Sequence, residues 1–367
     1  MSHPIQSAAA SLKSKLSADY PWTSFPLIVS APMRVMSGPA LAIAVSSAGG
    51  IGFIGPGLKP EATAVDLEET VSLLLKSHTI KSVNDGILPI GIGFQLWNGN
   101  LSIASAAVAK YRPAAAWLFA PKNGQEDVNA WTRELRNASP ATKIWLQIGT
   151  LREAEEATSS SSEFSPDVLV VQGSEAGGHG RASDGAPLTT LLPEVLSTLP
   201  ADITSKIPIF AAGGISDGRG VASALCLGAS GAVLGTRFLA STEARIKKGY
   251  QDAVLDARDG GANTVKTHLY NHLRGTWGWP EDQWAPRTIV NKSWEEEREG
   301  VEFDELKRRH DEILEKGDDS AWGKEGRTAT YAGMGVGLVR ELKGAGQIAE
   351  GVREEAKEII KGLVGGF

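Results

Sequence analysis

One short stretch of the chain, VVQGSEAGGHG at positions 170–180, combines residues that could do chemistry: an acid, a histidine and four glycines within and just after an apolar run. Histidine exchanges a proton near neutral pH, so His179 could remove a proton from a small molecule. Glycines let the backbone approach a ligand closely, because no Cβ intervenes. A hydrogen-bonded structural histidine would give the same pattern, and Glu175 could be the base instead or simply face water. The stretch is therefore a candidate catalytic loop.

Two further glycine-containing turns follow apolar runs later in the chain. Gly213 and Gly214 stand in IPIFAAGGISDGRG, and Gly235 and Thr236 stand in AVLGTRFLAS. Backbone N–H groups at such turns, together with a helix N-terminus, commonly bind phosphate, and Thr236 can add a hydroxyl donor. Two ordinary tight turns would explain the glycines as well. We interpret the pair of turns as a phosphate site.

Residues in the first third of the chain could contact a flat ring. Ala31, Pro32 and Met33 follow the first apolar run, and methionine adapts its polarizable side chain to an aromatic surface. Gln95 follows the third run, where its amide could hydrogen-bond the edge of a heterocycle. Plain packing of the methionine and a glutamine that faces water are the alternatives at these positions.

Eight short apolar runs, separated by helical patterns, must position these residues. Most runs are continuous rather than alternating, which is typical of strands buried on both faces of a parallel sheet. They predict an α/β fold, a (β/α)8 TIM barrel with a C-terminal irregular or helical extension; an open doubly wound sheet is the alternative. In such a barrel the active site lies at the C-terminal ends of the strands, where the candidates would meet. The predicted strands are Leu27–Ala31, Ile51–Ile54, Leu88–Phe94, Ala115–Phe119, Lys143–Ile148, Val168–Val171, Ile207–Ala211 and Ala232–Gly235, and the predicted helices include Glu61–Ser77, Ile103–Tyr111, Val128–Asn137 and Gly218–Leu227.

The same pattern divides the chain into four parts. Residues 1–24 are predicted to form an N-terminal lead-in, residues 25–244 the barrel, residues 245–330 an inserted irregular or helical segment, and residues 331–367 the closing helices. The inserted segment is predicted to be irregular because its sequence becomes charged and rich in tryptophan, as in GTWGWPEDQW.

The composition excludes several classes of function. The formal net charge is −6, so the chain lacks the basic footprint of a nucleic-acid-binding protein. No apolar stretch is long enough to span a bilayer, and the single cysteine, Cys226, excludes an internal disulfide and fits a cytoplasmic protein. His268 and His272 lack an evident third ligand, so we expect no metal site. An organelle-targeting N-terminus is the weaker alternative to the cytoplasm, and the sequence leaves a homo-oligomer open.

Several of these motifs together resemble the nitronate monooxygenases, formerly called 2-nitropropane dioxygenases. They are APM after the first strand, QGSEAGGHG after the sixth, AAGGISDGRG after the seventh and LGTRFLASTEA after the eighth. The later segment KTHLYNHLRGTWGWP also resembles the family's region beyond the barrel. The resemblance covers roughly residues 25–244 well and extends more loosely to about residue 338.

This resemblance implies a non-covalently bound FMN and the oxidation of alkyl nitronates, with nitroalkanes as further candidates, by O2 to carbonyl compounds and nitrite. His179 matches the family's base, which would remove the α-proton of a neutral nitroalkane but is not needed for an ionised nitronate. An FMN-dependent NAD(P)H reductase of an enoyl thioester or a quinone, and a non-catalytic flavin-binding protein, are the alternatives, because function does not follow from fold. By motif, the cofactor-binding residues would be Ala31, Pro32, Met33, Gln95, Gln172, Gly177, Gly178, Gly213, Gly214, Gly235 and Thr236.

Overall fold

The computed structural model describes residues 4–77, 80, 86–159, 161 and 163–365 of the chain. The strands are β1 (Ile28–Ser30), β2 (Ile51–Ile54), β3 (Leu88–Gln95), β4 (Pro113–Phe119), β5 (Lys143–Ile148), β6 (Val168–Gln172), β7 (Gly178–Arg181), β8 (Ile209–Ala212), β9 (Gly231–Leu234), β10 (Thr264–Lys266) and β11 (Trp284–Ile289). The helices are α1 (Pro4–Asp19), α2 (Pro39–Ser47), α3 (Ala62–Ser77), α4 (Leu101–Tyr111), α5 (Gln125–Ala138), α6 (Leu151–Ser159), α7 (Leu188–Thr198), α8 (Ala201–Thr204), α9 (Gly218–Cys226), α10 (Thr236–Leu239), α11 (Lys248–Asp256), α12 (Gly260–Asn263), α13 (Leu269–Leu273), α14 (Lys292–Arg298), α15 (Phe303–Glu315) and α16 (Ala345–Gly365). Short 3-10 helices cover Leu96–Asn98, Asp319–Ala321 and Met334–Leu338.

Eight parallel strands close into a barrel in the order β1, β2, β3, β4, β5, β6, β8 and β9, and β9 pairs back onto β1. Helices alternate with these strands along the chain. The TIM barrel predicted from the sequence is therefore confirmed, and the open doubly wound sheet is excluded. Each predicted strand agrees with a barrel strand to within two residues at either end, because continuous apolar runs are a clear signal for strands buried on both faces.

Aromatic side chains fill the barrel interior below its mouth. Phe53 packs edge-to-face against Trp117 and Trp145, with ring centroids 5.2 Å apart in both pairs. Each such pair contributes about 0.5–1.5 kcal/mol beyond the burial of its area. Gly91 on the neighbouring strand makes room for this packing, because a Cβ there would lie 2.2 Å from the Phe53 ring. The interior is therefore a packed support for the mouth above it.

The N-terminal lead-in covers the opposite end of the barrel. Leu16 on α1 and Tyr20 just after it are buried among the interior residues. The Tyr20 hydroxyl accepts a hydrogen bond of 2.7 Å from the indole N–H of Trp145. Both side chains are fully buried, so no solvent can replace either partner.

Tyr20→Phe should therefore destabilise the protein. The substitution leaves the Trp145 N–H buried without an acceptor, which costs about 1–3 kcal/mol of unfolding free energy. Urea unfolding of the variant and the wild type measures the difference. An unchanged midpoint would show that the hydrogen bond contributes nothing.

A second, smaller sheet lies beyond the barrel and was not predicted from the sequence. In it β11 pairs antiparallel with both β10 and β7. The sequences of β7 (GHGR) and β11 (WAPRTI) lack an alternating apolar pattern and contain glycine or proline, so periodicity gave no signal. The segment 245–330, predicted to be irregular or helical, thus also contributes two strands. The sheet fixes His179 in a strand, opposite Pro286.

The C-terminal helix α16 packs against α9 and α2 on the outside of the barrel. It occupies the place of the outer helix that completes the last strand–helix unit. The buried guanidinium of Arg353 ties it to the barrel by donating to the carbonyls of Pro26 and Ala48. None of the described helices is long and apolar enough to cross a membrane.

Candidate active site

A cavity of about 400 Å³ opens at the C-terminal ends of the barrel strands. This volume lies within the range of small-molecule and cofactor sites. The site residues predicted from the sequence all line it, although they come from five separate segments of the chain. They are Ala31, Pro32, Met33, Gln95, Gln172, Gly177, Gly178, His179, Gly213, Gly214, Gly235 and Thr236.

One end of the cavity is built from the turns after β8 and β9. Gly213 and Gly214 have φ values of +106° and +69°, which disfavour any residue with a Cβ. Among the hydrogen bonds of the described residues, none uses the backbone N–H of Gly214 or Gly235. Thr236 accepts a hydrogen bond of 3.0 Å from the N–H of Gly333, so its own hydroxyl hydrogen is free to donate. These donors form a cradle suited to an anion.

At Gly235, neither the backbone conformation nor the packing of the protein itself requires a glycine. Its φ is −105°, which any residue can adopt. A Cβ built on it would meet no atom nearer than 3.7 Å, the Cβ of Ala31. Gly177 differs, because a Cβ there would collide with the backbone of Ala332 at 2.4 Å. The open space above Gly235 therefore fits the close approach of a ligand, whereas Gly177 is required by packing.

Three half-buried glutamines, Gln95, Gln147 and Gln172, project into the mouth. Gln147 accepts a hydrogen bond of 3.1 Å from the indole N–H of Trp117, which fixes the orientation of its amide. The sequence interpretation missed Gln147. The available signal was its position, a polar residue at the C-terminal end of a buried strand, where barrel strands point functional side chains into the mouth.

His179 lies on β7 at the wall of the cavity. Its ring stacks on Trp279, with centroids 3.8 Å apart and planes at 10°. Its Nε2 lies 3.1 Å from the amide nitrogen of Asn271. Burial lowers the pKa of His179 well below its usual 6.5, and the charge of Arg274 lowers it further. The ring is therefore neutral at neutral pH.

The lowered pKa of His179 should make the protein sensitive to acid. The unfolded chain binds a proton at this residue near its usual pKa of about 6.5, whereas the folded ring resists protonation. Stability is thus full above that pH and is lost as the pH falls towards the lower pKa of the folded ring. In His179→Gln, the free energy of unfolding should fall less between about pH 7 and about pH 5 than in the wild type. Urea unfolding at the two pH values measures this, and equal losses would contradict it.

Two arginines that the sequence interpretation did not select also line the cavity. Arg34 donates to the carbonyl of Gly57 at 3.4 Å, and Arg274 donates to the carbonyl of Tyr270 at 3.1 Å. Within the described part of the chain, neither guanidinium forms an ion pair with a carboxylate. Burial, and then the charge of Arg274, lower the pKa of Arg34. The positive charge of both groups favours an anionic ligand.

The other candidates have structural explanations. Both carboxylate oxygens of Glu175 accept from the N–H of Leu188 at 3.0 and 3.1 Å, where the charge stabilises the start of α7. His272 hydrogen-bonds Glu281 at 2.7 Å, and His268 lies 3.9 Å from the same carboxylate. Across the described ranges, no group of three or more such side chains is placed to hold a metal ion.

A closed (β/α)8 barrel with its ligand cavity at the carboxyl ends of the strands has the architecture of the TIM-barrel enzymes. The family model for nitronate monooxygenase matches residues 133–269. The nitronate monooxygenase npaC of Metarhizium robertsii is 55% identical over 352 residues, which cover 96% of this chain and 97% of that protein. The chain therefore belongs to the nitronate monooxygenase family.

Two further proteins are similar over most of their length. A nitronate monooxygenase of Neurospora crassa is 33% identical over 97% of this chain and 95% of that protein. A nitroalkane oxidase of Streptomyces ansochromogenes, known as a crystal structure, has 25% identity and a TM-score of 0.68, and the match covers 92% of this chain and 98% of that one. The predicted family resemblance is thus confirmed.

Proposed function

We propose that this protein oxidises alkyl nitronates with FMN and O2, and yields carbonyl compounds and nitrite. One observation carries the proposal: the anion cradle after β8 and β9, the glutamine amides and His179 line a single cavity. The names of the relatives support the substrate class. The reactants are small molecules, and the single cysteine, Cys226, is consistent with action in the cytoplasm.

The residues present fit FMN. The free N–H groups of Gly214 and Gly235 and the hydroxyl of Thr236 would hold its phosphate, as in other barrels of this architecture. The open space above Gly235 admits the chain that leads from the phosphate to the ring. Gln95 and Gln172 offer amides to the polar edge of the ring. Ala31, Pro32 and Met33 form an apolar wall on which its face could pack, with Gly177, Gly178 and Gly213 completing the lining.

The protein's own groups bind and orient the substrate. Arg34 and Arg274 provide positive charge at the cavity wall, which attracts a nitronate anion. His179 is neutral there, so it can hydrogen-bond the substrate, and it would become positively charged if it accepted a proton. When bound, FMN supplies the redox chemistry by taking electrons from the nitronate and passing them to O2.

Anaerobic mixing of the FMN-loaded protein with either propyl nitronate or reduced nicotinamide tests this function. We expect the flavin absorbance to bleach with the nitronate and to stay unchanged with NADH and NADPH. Bleaching by reduced nicotinamide alone would instead identify a reductase of an enoyl thioester or a quinone. No response to any donor would identify a flavin-binding protein without this chemistry.

A further inference from the structure

Three polar side chains form a chain of hydrogen bonds beside the cavity. The guanidinium of Arg274 donates to Oδ1 of Asn271 at 3.2 Å. The amide nitrogen of Asn271 lies 3.1 Å from Nε2 of His179. Asn271 is fully buried, and all three residues line the cavity. The amide of Asn271 joins the other two side chains by one hydrogen bond to each.

The chemistry of these groups fixes the hydrogen on the His179 ring. A guanidinium has only donors, so the amide atom that meets Arg274 must be the oxygen. The amide atom that meets His179 is then the NH2 group, which can only donate. Nε2 must therefore accept, and the neutral ring carries its hydrogen on Nδ1. With Nε2 occupied, Nδ1–H is the polar group that the ring can offer to a ligand.

This arrangement opposes proton uptake by the ring. If the ring took up the α-proton of a neutral nitroalkane, the carbon would keep the electron pair as a nitronate. The ring would become a cation with a hydrogen on both nitrogens, including Nε2, which points at Asn271. The new N–H then faces the NH2 group of Asn271. The amide would have to turn over, which would place its NH2 against the guanidinium of Arg274. The positive charges of Arg274 and Arg34 act in the same direction.

We propose that Asn271, held by Arg274, is a positioning residue that makes His179 a hydrogen-bond donor to an anionic nitronate. The same residue hinders His179 from acting as a base, so it selects nitronates over neutral nitroalkanes. This inference rests on the proposed function for its substrates. The hydrogen position on the ring does not depend on that function and can be measured without any substrate.

Histidine-selective ¹⁵N NMR of the full-length protein at neutral pH reads the hydrogen position directly. We expect His179 to show a protonated Nδ1 and an unprotonated Nε2. His272 provides an internal reference for a protonated Nε2, because its Nε2 faces the carboxylate of Glu281 at 2.7 Å. His179→Gln and His272→Gln assign the signals. A His179 ring with hydrogen on Nε2 and a bare Nδ1 would overturn the inference.

Asn271→Asp tests the consequence for substrate choice. One carboxylate oxygen can accept from Arg274 and the other from a protonated Nε2, which leaves Nδ1 bare as a base towards the ligand. We expect the ratio of kcat/KM for nitroethane to that for ethyl nitronate to rise about tenfold or more. The ¹⁵N signals of His179 should show that its hydrogen has moved from Nδ1 to Nε2. Asn263→Asp, on an exposed residue outside the cavity lining, is the control for added charge.

The outcomes distinguish the failure of the Asn271 proposal from the failure of the proposed function. Suppose that Asn271→Asp folds and that its His179 hydrogen has moved, but that the ratio of kcat/KM for nitroethane to that for ethyl nitronate is unchanged. This result would overturn the proposal that Asn271 selects nitronates. A wild-type protein that turns over neither substrate would contradict the proposed function, while the ¹⁵N spectrum would still decide the form of the His179 ring. If Asn271→Asp does not fold, the wild-type spectrum still decides whether the hydrogen lies on Nδ1, as the inference requires.

Discussion

Gly235→Val is expected to weaken FMN binding by up to about 100-fold without disturbing the fold. The glycine conformation is accessible to valine, and the new side chain would enter space that no protein atom occupies within 3.7 Å of the Cβ. On the proposed function, that space is where FMN would approach the turn after β9. Overpacking of a close contact costs about 1–3 kcal/mol, which corresponds to a loss in affinity of up to about 100-fold. Titration with FMN, followed by quenching of flavin fluorescence, measures the affinity.

The matched control is Gly351→Val, on an exposed position of α16 where a Cβ would also meet no atom within 4 Å. This variant should bind FMN as tightly as the wild type. Thermal unfolding of the cofactor-free proteins should give similar midpoints for Gly235→Val and the wild type. Full FMN affinity in Gly235→Val would place the cofactor away from this turn.

His179→Ala should affect the two forms of substrate very differently. His179 is the remaining base for neutral nitroalkanes even though Asn271 hinders it, so their slow turnover should fall to the background. A nitronate has already lost its proton, so it should lose only one hydrogen bond to a charged group, which corresponds to about 10–100-fold in kcat/KM. Steady-state oxygen consumption with nitroethane and with ethyl nitronate measures both losses.

FMN content serves as the control in this experiment, because His179 is not among the groups of the anion cradle. The variant should retain its flavin after gel filtration. Restoration of part of the nitronate activity in His179→Asn, which carries an amide N–H, would support the donor role of the ring. Equal losses on both substrates would argue against a separate task for His179 in proton removal.

The barrel and half of the site could be predicted because their signals are local in sequence. Each barrel strand is a short apolar run, and the residues that follow it must appear at the mouth. Gly235 and Thr236 were expected at the mouth on this basis, and both line the cavity. Gln147 could have been found by the same reasoning, since it is a polar residue near the end of β5.

The remainder of the site depends on contacts that sequence patterns do not report. Asn271 meets His179 across 92 residues of sequence. That contact exists because the second sheet and α13 bring the inserted segment over the mouth. The sheet itself could not be predicted, because neither β7 nor β11 has an apolar repeat. Arg34 and Arg274 likewise look like ordinary surface charges until the fold places both at one wall. Tertiary structure alone therefore identifies the groups that tune His179.

The most direct test of FMN binding at the barrel mouth is the visible absorption spectrum of the purified protein after incubation with FMN and gel filtration. We expect the bands of oxidised flavin, at close to one flavin per chain, and a lower flavin content in Gly235→Val. A colourless wild-type protein that does not retain FMN, or an equal flavin content in Gly235→Val, would contradict the proposed site.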